Sequence, residues 1–182
     1  KKEPVTCIIG GSKVSTKINV LLSLIPKVNN IVIVGAMANN FLEHTGHKIG
    51  KSIIEENSKK IIDKIYIEIK KNNCQLIIPV DYNVATDFNG SSITRSRGSI
   101  DENEIILDIG PKTITKIENI IEASNTILWN GPAGYFENTH FSIGTNSIAE
   151  KISENTCKKS LISVLGGGDT ISAINKIEKK LT

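Results

Sequence analysis

Two lysines stand four residues apart, Lys13 and Lys17, directly after Gly10-Gly11-Ser12. On a helix an i, i+4 spacing puts both ammonium groups on one face. At the helix N-terminus each cation opposes the dipole at a cost of about 0.3–1 kcal/mol. An anion held between them reverses the sign of that term; the alternative, in a chain this rich in lysine, is two solvated side chains. Three more turns carry glycine in the same manner: Gly35-Ala36, Asn130-Gly131-Pro132-Ala133-Gly134 and Gly166-Gly167-Gly168-Asp169-Thr170. Glycine lets a backbone approach a phosphate closely, and a following helix supplies free N–H groups with roughly half a positive charge. One such turn is ordinary at a strand-to-helix junction; several together point to a phosphate site.

Asp169 has two readings. It is either the N-cap of a final helix or a carboxylate beside a phosphate-binding turn, where Mg²⁺ bridges protein and polyphosphate. Glu137 follows Tyr135 and Phe136, and its carboxylate either accepts hydrogen bonds from sugar hydroxyls or faces water. The stretch 10–17 does not match GxxxxGK[ST], and no GxGxxG is present, so a nucleotide site here is of another type. His44 and His47 are too few for a metal site without other ligands. No Ser/His/Asp or Cys/His arrangement stands out, and His140, Arg95 and Arg97 read as surface residues.

Short apolar runs must position these turns. They fall at residues 5–9, 31–34, 75–80, 104–109, 126–129 and 161–165, too short for helices and too continuous for half-exposed strands. Helical patterns alternate with them at 16–25, 36–44, 55–72, 111–123, 143–153 and 169–180. The third sets Ile61, Ile62, Ile65 and Ile69 against Lys59, Lys60, Lys64, Glu68 and Lys71, as an amphipathic helix covering a sheet does. The alternation predicts an α/β, Rossmann-like three-layer sandwich: a six-stranded, mostly parallel sheet with helices on both faces. Ligands of such sheets bind outside the carboxyl ends of the strands, where strand order reverses. Residues 88–101, polar and glycine-containing, read as a surface excursion within one domain.

Composition narrows the classes further. The 182 residues hold 22 Lys+Arg against 19 Asp+Glu, a net charge of +3, with Arg95 and Arg97 the only arginines. So weak a field argues against nucleic acid as a partner. No apolar run approaches the ~18 residues of a membrane helix, and no signal peptide is recognisable, so the expectation is a soluble cytoplasmic protein with no membrane partner. Cys7, Cys74 and Cys157 are odd in number and widely spaced, as in neither a disulfide framework nor a CxxC site. The chain begins at Lys1 and ends in a charged helical pattern, as a piece of something longer would.

Taken in order, five motifs are similar to those of the nucleotide-binding half of phosphoglycerate kinase. They are Gly10-Gly11-Ser12-Lys13-Val14-Ser15-Thr16-Lys17, Gly35-Ala36-Met37-Ala38-Asn39-Asn40-Phe41-Leu42, Leu107-Asp108-Ile109-Gly110-Pro111, Trp129-Asn130-Gly131-Pro132-Ala133-Gly134-Tyr135-Phe136-Glu137 and Gly166-Gly167-Gly168-Asp169-Thr170. The resemblance runs over nearly the whole chain. It implies a monomeric enzyme moving a phosphoryl group reversibly between 1,3-bisphosphoglycerate and ADP, giving 3-phosphoglycerate and ATP, with Mg²⁺ on the nucleotide. Lys13 matches the family lysine that stabilises the transferring phosphoryl group, and Lys17 the one that holds nucleotide phosphates. Asp169 matches the metal-linked aspartate; Gly167, Gly168 and Thr170 match the phosphate-contacting turn. Glu137 matches the ribose-binding glutamate, Asn130 and Pro132 line the same site, and Leu107 falls where adenine packs. Gly11 and Gly35 belong to the nucleotide-binding turns.

Three positions depart from the family pattern: Gly35 is flanked by Val34 and Ala36 where further glycines are usual, and Ile106 stands where a glycine is common. The resemblance makes residues 1–182 the C-terminal domain of a two-domain kinase, without the N-terminal domain that binds the triose and without a final glycine-rich segment. Such a piece is expected to bind ADP or ATP with Mg²⁺ but not to turn over alone. A stand-alone module that senses adenine nucleotide is the alternative. An oxidoreductase domain is disfavoured by the missing dinucleotide fingerprint.

Overall fold

The computed structural model describes residues 2–159 and 161–177. Strands β1 (Val5–Ile9), β2 (Asn30–Ile33), β3 (Gln75–Ile77), β7 (Thr126–Asn130) and β8 (Ile162–Gly166) form a five-stranded parallel sheet in the order β3-β2-β1-β7-β8. Strands β4 (Asp81–Ala85), β5 (Ile93–Ser96) and β6 (Ile105–Ile109) form a separate antiparallel sheet in the order β5-β4-β6. The helices are α1 (Val14–Leu24), α2 (Met37–His44), α3 (Lys59–Lys71), α4 (Pro111–Ala123), α5 (Ile143–Lys159) and α6 (Gly168–Asn175).

Successive side chains of β1 point to opposite faces of the sheet, and each face has its own core. Cys7 and Ile9 pack with Ile31 and Ile33 of β2 against Leu21 of α1, Phe41 of α2 and Ile62 and Ile65 of α3. Ile8 packs with Val32 and Trp129 against Ile117 and Ile121 of α4 and Ile148 and Ile152 of α5. Each isoleucine so buried contributes about 1.5–3 kcal/mol. The continuous apolar strands and the period of α3, whose Ile62, Ile65 and Ile69 are buried, therefore produce the three layers anticipated from the pattern.

The expected six-stranded sheet is corrected to five strands plus three. The run 104–109 is a strand, but it pairs antiparallel with β4 rather than joining the parallel sheet. Apolar continuity reports burial but not the neighbouring strand, and the edge strand of a second sheet, with Leu107, Asp108 and Ile109 buried, satisfies it as well as one inside a parallel sheet. Strand β4 escaped the pattern because it carries Asp81 and Asn83, both buried. Asp81 is there to accept the N–H groups of Lys112 (2.9 Å) and Thr113 (2.8 Å), capping α4 behind its N-terminal Pro111. The surface excursion 88–101 contains β5, a largely exposed edge strand.

Several boundaries differ from the sequence pattern. The parallel strand expected over 75–80 stops at Ile77, ahead of Pro79, which has no N–H to give a ladder. Helix α3 starts at Lys59 rather than at 55, because Asn57 adopts φ 59°, outside helical space. Helix α5 continues past 153 to Lys159, and the pattern's residues 178–180 lie outside the described residues.

Candidate functional site

In the order β3-β2-β1-β7-β8 the sequence of strands reverses between β1 and β7, and the turns that follow these two strands meet there. Gly10 N–H donates to the Asn130 carbonyl (2.8 Å). The two backbones lie so close that a Cβ on Gly131, itself at φ +100°, would sit 2.4 Å from the Gly10 carbonyl carbon. No residue but glycine fits there. Thr170, wholly buried in the first turn of α6, accepts the Gly131 N–H at 2.6 Å and binds the turn after β8 to the same point. Three turns from three strands are thus joined, two through their backbones and the third through the Thr170 hydroxyl.

Their side chains and N–H groups open onto one cleft of about 290 Å³, lined by Gly11, Lys13, Lys17, Asn130, Gly167, Gly168, Asp169 and Thr170 among others. Lys17 donates to Asn130 Oδ1 at 2.7 Å. Lys13 is the N-cap of α1 in extended conformation (φ −120°, ψ 121°), so it stands just outside the helix rather than on its first turn. The N-cap reading of Asp169 is corrected: Gly167 holds that position, and Asp169 lies exposed in the first turn of α6.

A second cleft of about 250 Å³ adjoins the first and shares Gly11, Ser12 and Asp169 with it. Gly35, Leu107, Pro132 and Glu137 line it, together with Ala36 and Ile106. Leu107 reaches this wall through a bulge in the β4–β6 ladder: Asn83 opposes Asp108, Val84 opposes Ile106, and Leu107 is the extra residue. Its carbonyl accepts instead from Tyr135 N–H at 2.7 Å, coupling β6 to the loop that bears Glu137. Each residue expected from the sequence to contact nucleotide or metal lines one of the two clefts, whereas Val34 is buried in the core.

The same cleft holds residues that sequence reasoning passed over. Ile53 and Phe88 come from loops far apart in the chain; Phe88 meets Tyr135 edge-on, ring centroids 5.3 Å apart. Neither loop carries a pattern that would single them out. Asp108 did leave a signal, a lone carboxylate within the apolar run of β6. It is 2% exposed and accepts from Gly144 N–H (2.8 Å) at the start of α5 and from Ile109 N–H (2.9 Å). Burial pushes its carboxyl up to about 7, against the lowering effect of those two N–H groups.

A cationic, N–H-rich cleft continuous with an apolar one suits a ligand with an anionic tail and an apolar head. Among the described residues no cluster of three or more His, Cys, Asp or Glu could hold a metal ion unaided. Asp169, exposed where the clefts meet, fits a divalent cation that also takes oxygens from a ligand.

Comparison with known proteins identifies the family. The phosphoglycerate kinase family model matches residues 1–181. A phosphoglycerate kinase of Wolbachia pipientis wMel is 46% identical over 176 residues, 96% of this chain and 44% of the relative. One from Borreliella burgdorferi is 45% identical over 177 residues, again 96% and 44%. The structure of phosphoglycerate kinase from Coxiella burnetii superposes with a TM-score of 0.91 at 34% identity, covering 96% of this chain and 45% of that one. The chain therefore spans less than half the length of the relatives it matches, and over that span it belongs to the phosphoglycerate kinase family.

Proposed function

We propose that residues 1–182 are the nucleotide-binding domain of an enzyme that transfers a phosphoryl group between 1,3-bisphosphoglycerate and ADP, giving 3-phosphoglycerate and ATP. The observation that carries this reading is the meeting of Lys13, Asn130 and Asp169 in one cleft beside an apolar one. The nucleoside lies in the apolar cleft, its base against Leu107 and its ribose hydroxyls on Glu137. The phosphates lie along Gly11, Gly167 and Gly168, held by Lys17 and Asn130. Thr170 keeps the turn in place from beneath.

Lys13 stabilises the equatorial oxygens of the phosphoryl group in flight. Such transfer asks of a protein chiefly position and positive charge, and no covalent nucleophile is needed. Mg²⁺ bound to the nucleotide phosphates, with Asp169 as the protein carboxylate, would neutralise part of their charge. The triose is bound by a second domain, whose closure over this one excludes water. The setting is the cytoplasm and the working unit a monomer.

Isothermal titration of this chain with Mg·ADP tests the reading. Saturable 1:1 binding that is weakened about tenfold or more in Lys17→Ala is expected; no heat, with the chain folded, would overturn it.

A further inference from the structure

Helix α1 presents Lys13 at its N-terminus yet has no cap of its own. The N-cap residue is Lys13, whose side chain accepts no hydrogen bond, and the first turn has no acidic residue. Uncapped, the first turn of a helix frays. The missing acceptor comes from Glu55, 40 residues away. Its Oε2 accepts Ser15 N–H at 2.9 Å, and its Oε1 accepts the Ser15 hydroxyl.

Glu55 is itself held in place. The buried side chains of Asn39 and Asn40 on α2 grip the segment before α3: Asn39 Nδ2 donates to the Ile53 carbonyl (2.9 Å), and Asn40 Nδ2 to the Glu55 carbonyl (2.9 Å) and to Ser58 Oγ (3.0 Å). The Ser15 hydrogen bonds hold the Glu55 carboxyl below the usual carboxylate range, with a smaller contribution from the charge of Lys13. The acceptor therefore stays ionised at neutral pH. Ile53, two residues earlier, lines the apolar cleft, so one short segment meets both that cleft and the first turn of α1.

We infer that Glu55 is a positioning residue for Lys13: by capping the first turn of α1 it fixes the backbone from which that ammonium reaches the transferring group. The inference rests on the proposed role of Lys13. Lys17 lies a turn further into the helix and is tied separately to Asn130 at 2.7 Å, so loss of the cap frees Lys13 while leaving Lys17 in place. The effect then falls on kcat and not on nucleotide affinity.

The test uses the full-length enzyme that carries this chain, with variants Glu55→Ala, Glu55→Gln, Ser15→Ala and Lys13→Ala. Glu55→Ala is expected to lower kcat by about tenfold or more, as small misplacements of catalytic groups do, with the nucleotide KM within about twofold. Glu55→Gln is expected to restore kcat, because its amide oxygen accepts Ser15 N–H and its NH₂ group donates to the hydroxyl. Amide exchange at Ser15 is expected to quicken in Glu55→Ala but not in Glu55→Gln, and Ser15→Ala, which keeps the backbone bond, to lose several-fold in kcat. Should Glu55→Ala not fold, the Glu55→Gln and Ser15→Ala results decide.

The inference is overturned if Glu55→Ala or Ser15→Ala keeps wild-type kcat, if the loss appears in KM instead, or if Glu55→Gln is as slow as Glu55→Ala. A slow Lys13→Ala beside an unimpaired Glu55→Ala overturns this inference alone; an unimpaired Lys13→Ala overturns the role of Lys13 and this inference with it.

Discussion

Lys17 donates its ammonium to the Asn130 side-chain oxygen at 2.7 Å, joining residues 113 apart in the chain. The bond links the first helix to the end of β7, with the half-buried lysine in the wall of the cleft. An ammonium has three protons to give, so one bond to Asn130 orients it and leaves two for an anion.

Lys17→Ala removes both the proposed anion contact and this cross-link. The dissociation constant for Mg·ADP is expected to rise about tenfold or more, equivalent to about 1.4 kcal/mol. Asn130→Ala, which leaves the ammonium present but unoriented, should raise it less. Titration calorimetry on the two variants checks the order, and an unchanged constant in Lys17→Ala counts against the assignment.

Lys13→Ala in the full-length enzyme is expected to cost about 10²-fold in kcat, the usual effect of deleting one group that stabilises a transition state. Nucleotide affinity should stay nearly constant. Steady-state kinetics with varied nucleotide separates the two parameters, and a pure KM effect would reassign Lys13 to ground-state binding.

Gly131 has no room for a side chain and lies at positive φ. Gly131→Ala is therefore expected to destabilise the chain by at least about 1–3 kcal/mol, since strain and a backbone clash combine. Gly168→Ala meets nothing within 4 Å and should leave the urea midpoint close to that of the parent. Equal effects at the two positions would contradict the close approach of the turns after β1 and β7.

Asp108 predicts a pH dependence of stability. The native carboxyl holds its proton up to about 7, whereas in an unfolded chain it is lost near ~3.9. Between those values the native state binds more protons, so its contribution is favourable at low pH and is lost as pH rises through the native value. The unfolding free energy of the parent relative to Asp108→Asn should accordingly fall from about pH 4 to about pH 7 and level off above it. A flat difference across that window would show that the carboxyl ionises normally.

The lysine pair and the glycine turns were legible because their signal is local. A strand run, then glycine, then a helical pattern occupies a dozen residues and needs no knowledge of distant partners. The same locality hid β4: its Asp81 and Asn83 look like loop residues until α4 and β6 are placed against them. It also led β6 to be counted in the wrong sheet, since an apolar run reports burial but not which strand lies alongside.

The amino-acid sequence alone determined the α/β alternation, the turns at the strand ends and the residue types that fill them, because these follow from periodicity and from backbone preferences within a few residues. Only the tertiary structure decided that the antiparallel strands form their own sheet, that Leu107 is turned out by a bulge, that Ile53 and Phe88 share one wall, and that Glu55 caps the helix of Lys13. Each of those contacts joins segments tens of residues apart, and such pairings are selected by the packing of the whole chain.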